Sequence, residues 1–216
     1  MAFGVTSFDE LNKLVGMNRS EPFEDYFAPM KISDVQKKQR IRLAEALEEE
    51  FLYVFGYMFY AYPIINGQMI TDLRDRYLQQ LLELGIAVSV ADDIYRRQAY
   101  KFAVDAISAT QRHKDDPYYY SADRARFCAE DQSNFCYDAK DFQDAIEAGF
   151  LYKTWETVGD NRVRDSHAEV EGLTIPIDEP FMLAGGLMMR PHDASLGCSE
   201  DELIMCRCSL AYSYGE

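Results

Sequence analysis

The hydrophobic periodicity of this chain changes once, at Phe150, and that change constrains the fold more than any other feature. Before Phe150, apolar residues recur three and four positions apart. After it, the spacing is closer to two. The first pattern lines one face of a helix, and the second alternates across a strand. The expected fold class is therefore α+β: a mainly helical N-terminal part over residues 32–149, then a small loop-rich α+β domain over residues 150–216. Residues 1–31, broken by Pro22 and Pro29, read as a loosely ordered arm, with Phe23, Tyr26 and Phe27 available to dock.

Four helices are expected in the first part. One begins at Ser33-Asp34, residue types that accept bonds from unpaired helix N–H groups. Its stripe is Ile41, Ala44, Leu47, Phe51, Val54, Phe55 and Met58, and Pro63 with Asn66-Gly67 ends it. A second starts around Thr71-Asp72, with Ile70, Leu73, Tyr77, Leu81 and Leu84 on one face and Gly85 as a left-handed cap. A third runs from about Val88 to Arg112 on Ala91, Ile94, Tyr95, Phe102, Ala103 and Ile107. The fourth spans Ser121 to Ala148, with Gly149 just past its end.

Beyond Phe150, Leu151–Trp155 reads as a strand and Leu173–Ile177 as a short edge strand, because Pro176 has no N–H for a ladder. Leu203–Leu210 reads as a third strand. Turn-rich segments separate them: Val158-Gly159-Asp160-Asn161, Ala184-Gly185-Gly186 and Pro191-His192-Asp193.

Charge narrows the function classes. The chain carries 37 acidic and 22 basic residues, a net charge of −15. Residues 155–216 hold 12 acidic and 4 basic side chains, so the acid density is highest there. Duplex binding depends on cationic contacts to phosphates, so no specific nucleic-acid partner is expected. The N-terminus lacks the basic segment that precedes the apolar run of a secretory signal. An uncharged stretch, Phe51–Gln68, is interrupted by Pro63 and four tyrosines, and reads as a buried or partner-covered helix, not a membrane span. Its tyrosines, like the aromatics of the arm, fit either a docking surface or the core. Five cysteines with no export signal argue against a disulfide framework and leave free thiols or a metal site.

The residues suited to chemistry lie after Lys153. On a strand, Cys206 and Cys208 point to one face, where two thiols can converge on an ion. Zinc takes four tetrahedral ligands from Cys and His, and His167 with Cys206, Cys208 and either Cys198 or Asp165 would make such a set. Two small buried hydrophobes on a core face account for the same cysteines, and redox chemistry is a third reading. Asp165 can orient His167 or join it as a ligand. The pair also fits the base of a metal-dependent nuclease or toxin-like hydrolase. Against that, no nucleophile elbow and no phosphate-cradling glycine loop accompany it, so the expectation is a protein that is not an enzyme, with zinc as the one cofactor to consider. Arg162 and Arg164, in so acidic a segment, are expected to form internal ion pairs with Asp160, Glu169, Asp178 or Glu179.

Taken together, Lys153-Thr154-Trp155, Asp160-Asn161-Arg162-Val163-Arg164-Asp165-Ser166-His167, Glu171-Gly172, Ile175-Pro176-Ile177-Asp178-Glu179-Pro180-Phe181, Pro191-His192-Asp193 and Cys206-Arg207-Cys208-Ser209 resemble the phage Mu F-like minor head protein family. Arg126, Ala129, Glu130 and Asn134 resemble the helix that precedes the Trp in that family. The likeness spans about residues 121–210. Where the family usually has Asp-Gly or Asn-Gly after the His, this chain has Glu171-Gly172, and Cys198 lies outside the pattern. The resemblance implies a minor capsid protein of a tailed phage or prophage. Such a protein is present in few copies near the portal and acts in head morphogenesis and DNA packaging or delivery. The implied partners are the portal or other capsid proteins, and the implied location is the virion head, with the host cytoplasm during assembly. Some relatives carry the domain fused to toxin or ADP-ribosyltransferase domains, for which this chain is expected to have no room. A non-viral helical binding module with a zinc-stabilised cap is the remaining rival.

Overall fold

The computed structural model describes residues 2–15, 22–89 and 92–215. They divide into two compact units, each built from two stretches of chain: Met1–Pro22 with Arg42–Ala129, and Phe23–Ile41 with Glu130–Glu216. The helices are α1 (Phe8–Val15), α2 (Phe23–Phe27), α3 (Asp34–Ala61), α4 (Gly67–Glu83), α5 (Asp93–Arg112) and α6 (Ala122–Glu147). Strand β1 (Tyr152–Glu156), helix α7 (Asp165–Glu169), strands β2 (Thr174–Pro176), β3 (Phe181–Leu183) and β4 (Gly186–Met188), helix α8 (Glu200–Leu203) and strand β5 (Ser209–Ser213) complete the order. The α+β class expected from the periodicity holds. Two of the three unit divisions fall inside a helix, α3 and α6, and the third lies just before α2.

The first unit is helical. The start of α3, which belongs to the second unit, carries a reciprocal cap: the Ser33 hydroxyl accepts the Gln36 N–H at 3.3 Å, and the Gln36 amide oxygen accepts the Ser33 N–H at 3.0 Å. Leu43, Leu47, Phe51, Phe55 and Met58 then recur at helical spacing and are buried. Phe51 packs against Phe102 of α5 at 4.7 Å between ring centroids, and Tyr77 of α4 meets both rings edge-on. The guanidinium of Arg124 is buried in the same unit. It donates to the Thr110 hydroxyl and to the carbonyls of Tyr119 and Ala106, and lies over the Phe55 ring. A buried charge is tolerated only when its donors are matched in this way.

Several boundaries differ from the sequence reading. Asn66 does not end a helix but starts one: its side chain accepts the Gln68 N–H, so α4 begins at Gly67, ahead of Thr71-Asp72. An Asx residue serves either as turn or as N-cap, and the local sequence is the same for both. α5 starts at Asp93, later than Val88, and Ala91 lies outside the described residues. Gly85 sits at φ +68° just past α4, as expected. Within residues 1–31 the structure has α1 and α2, and Leu11, Phe23, Tyr26, Phe27 and Met30 are buried. Glu21 and the residues just before it lie outside the described ones.

In the second unit, β1 is the middle strand of an antiparallel sheet ordered β2–β1–β5. Trp155 pairs with Leu210, and Thr154 with Thr174. β2 is an edge strand, which accommodates Pro176. β3 and β4 form a separate hairpin. The alternation of β1 turns Lys153 and Trp155 inward. Trp155 then anchors an apolar cluster with Val170, Phe181, Leu183, Met188, Cys198, Cys206 and Cys208.

One expectation fails where it matters most. Residues 203–210 are not a strand. Glu200–Leu203 is a helical turn, residues 204–208 are irregular, and the strand begins at Ser209. Met205 takes φ +57°, which breaks the extended run. The side chain of Asp131 on α6 accepts the Met205 N–H at 2.6 Å, and Asn134 donates to the Cys206 carbonyl at 3.2 Å. Side-chain bonds from α6 thus replace the ladder bonds that a strand would need.

Candidate functional site

The polar centre of the second unit is assembled from α7, α8 and the segment between α8 and β5. α7 presents His167 inward, with only 1% of its surface exposed. Its ring stands edge-on to Trp155 at 5.3 Å. Nδ1 of His167 lies 3.3 Å from Cys208 Sγ and 3.6 Å from Cys206 Sγ. These three donors all fall within 4.8 Å of one another, and all three residues are buried. Together they could hold one soft cation. The two thiols converge in an irregular segment and not on a strand, with the Cys208 N–H directed at Cys206 Sγ at 3.5 Å.

On the other edge of the ring, Nε2 of His167 lies 3.0 Å from Glu202 Oε2, within ion-pair reach but not aligned as a hydrogen bond. Glu202, buried on α8, is held by the Ser166 hydroxyl at 2.8 Å and by the Gly185 N–H at 3.0 Å. A Cβ on Gly185 would stand 2.5 Å from Glu202 Cγ and 2.3 Å from Ser199 Oγ, so the Gly185-Gly186 turn leaves the room Glu202 occupies.

The other inward histidine is His192, at φ +62°. Its Nδ1 lies 2.8 Å from Asp138 Oδ2, while its buried Nε2 has no hydrogen-bond partner. Asp138 in turn accepts from the buried Arg40 at 2.9 Å through its other oxygen. Burial opposes a positive charge on His192, but the bond to Asp138 and the neighbouring Cys206, Asp138 and Asp131 outweigh it and raise its pKa. The Cys206 thiol is held far above its ordinary range, first by its contact with Cys208 and then by burial.

Asp165 is placed elsewhere. It is exposed at the start of α7 and outside the donor group. Cys198 is buried in the apolar cluster but also outside that group, and burial raises its pKa. Arg162 and Arg164 do not form the expected side-chain pairs. Arg164 donates to the Ile204 carbonyl at 2.5 Å, and it is Arg207 that pairs with Asp160, at 2.6 Å. Glu202 and Asp138 were not singled out from the sequence. Glu202 lies in the acidic run Glu200-Asp201-Glu202 and Asp138 between Tyr137 and Ala139, and only burial distinguishes them.

The remaining motif residues hold one another in place. The fully buried Lys153 amine donates to the Met189 carbonyl at 2.8 Å and lies over the Phe142 and Phe181 rings. Desolvation lowers its pKa to about 8. Glu171 accepts from Lys31 and from the Thr157 N–H, both at 2.5 Å. Lys153, Trp155, Asp160, Arg164, His167, Glu171, Phe181, His192 and the two late cysteines therefore all contribute to a single packed unit.

A small α+β unit knit by buried polar residues, following a run of long helices, is the class this architecture defines. Residues 64–211 match the Phage Mu protein F like protein family, and the chain belongs to that family. The match starts well upstream of the motifs around residues 121–210 and takes in α4 and α5. The family is one of phage head morphogenesis and is generally structural. No curated protein and no solved structure matches the chain. Among the described residues, no helix is long and apolar enough to cross a membrane.

Proposed function

We propose that this chain is a minor head protein that resides in the virion head in few copies, docks on the portal or a neighbouring capsid protein, and acts in DNA packaging or delivery. Family membership over residues 64–211 carries this reading. The helical unit adds a surface suited to docking. Tyr53, Tyr57 and Tyr60 stand four and three positions apart on α3 and are each more than half exposed. Three aromatics on one helix face are typical interface anchors. The net charge of −15 suits a protein that sits close to packaged DNA without binding it.

No observation favours the hydrolase alternative. His167 is buried against Trp155, and Asp165 is exposed outside its donor group. The test is mass spectrometry of density-purified particles from an induced culture of the source strain, followed by crosslinking. Low-copy recovery in heads, with crosslinks to portal or capsid protein, is expected. Abundance in the lysate with absence from particles would overturn the reading.

A further inference from the structure

The structure assigns a zinc(II) site to the three buried donors of His167, Cys206 and Cys208. The distances carry it first. Tetrahedral zinc, with bonds of about 2.3 Å to sulfur and about 2.0 Å to nitrogen, places nitrogen and sulfur ligands about 3.5 Å apart. Nδ1 of His167 stands 3.3 Å and 3.6 Å from the two thiols.

The outer contacts agree. A metal-bound imidazole donates its other N–H to a carboxylate, which fixes both tautomer and ring orientation. With His167 bound through Nδ1, Nε2 carries the proton and faces Glu202 at 3.0 Å. Glu202 is itself anchored by Ser166 and Gly185. His192 stands outside this donor group: Nδ1 is tied to Asp138, and Nε2 lies 3.8 Å from Asp131 Oδ1. Coordination through Nδ1 would give the otherwise unpartnered Nε2 of His167 a role through the carboxylate.

Charge completes the case. Two thiolates neutralise a divalent ion, and a neutral imidazole leaves that balance unchanged. A neutral centre suits a pocket walled by Trp155 and Val170, where an unbalanced ion would be costly. Soft sulfur and imidazole donors select zinc over magnesium or calcium. On binding, two thiol protons leave to solvent. The assignment is independent of the role in the phage head.

The experiment uses the full chain, purified under reducing conditions without added chelator. Elemental analysis is expected to return one zinc per chain. Titration of the stripped protein with cobalt(II) is expected to give the visible absorption of a tetrahedral thiolate site, displaced by zinc. Cys208→Ser and His167→Ala should abolish that absorption, whereas Cys128→Ser, outside the site, should retain it. Zinc-free wild-type protein that develops no cobalt absorption would overturn the site altogether, and that measurement needs no variant to fold.

Discussion

Asp138 divides its two carboxylate oxygens between two buried side chains: Oδ1 accepts from Arg40 at 2.9 Å, and Oδ2 lies 2.8 Å from Nδ1 of His192. A helix residue thereby ties the start of α3 to the loop after β4, within one compact unit. Burying a carboxylate is unfavourable unless its lone pairs are matched, and here the matching partners come from segments far apart in the chain.

Removal of one partner exposes that dependence. Arg40 is 1% exposed and also bonds Asp141 at 3.0 Å. Arg40→Met should cost about 3–5 kcal/mol, because Asp138 is left buried without its cation. Urea denaturation of the variant checks this, and a loss below about 1 kcal/mol would show the pair to be dispensable.

Lys153 makes stability depend on pH with a definite sign. Its amine titrates near 10.5 when unfolded and at about 8 in the fold. Between those values the unfolded chain holds more protons, so stability rises with pH. The wild type should therefore gain on a Lys153→Met variant from about pH 8 to about pH 10.5, by on the order of 3 kcal/mol. Denaturation midpoints of both proteins across that range provide the check. A constant gap between them would contradict the assignment.

Gly185 leaves no room for a methyl group beside Glu202. Gly185→Ala should destabilise the fold by about 1–3 kcal/mol, the usual range for overpacking. A thermal melt unchanged within error would mean that α8 shifts freely.

Glu202→Gln separates orientation from ligation. The amide preserves the shape but loses the carboxylate that faces His167. Zinc affinity should fall about 10–100-fold while one zinc still binds at saturation. Asp165→Ala, at an exposed position outside the donor group, should leave zinc affinity unchanged and stability within about 0.5 kcal/mol. A competition titration with a chromophoric chelator reads both variants.

The helices were legible in the sequence because the signals that define them are local. The stripe through Leu47, Phe51, Phe55 and Met58, and the start at Ser33-Asp34, depend on neighbours within a turn or two. β1 and its edge partner β2 were legible for the same reason, through alternation and a proline. Asn66 was read in the wrong sense because one side chain serves both as turn and as cap.

The site was legible only as a set of residue types. His167, Cys206 and Cys208 stood out as scarce ligand-type residues in an acidic, loop-rich segment. Their convergence came from somewhere else: Asp131 and Asn134 on α6 capture the backbone at Met205 and Cys206 and turn an expected strand into a loop. The same packing moved Asp165 out to solvent, brought Glu202 in behind His167, and set Asp138 against His192. These are contacts between residues tens of positions apart, and burial converts ordinary surface-type acids into partners. Periodicity records which face of an element is apolar, but which distant side chains meet there is settled when the elements pack.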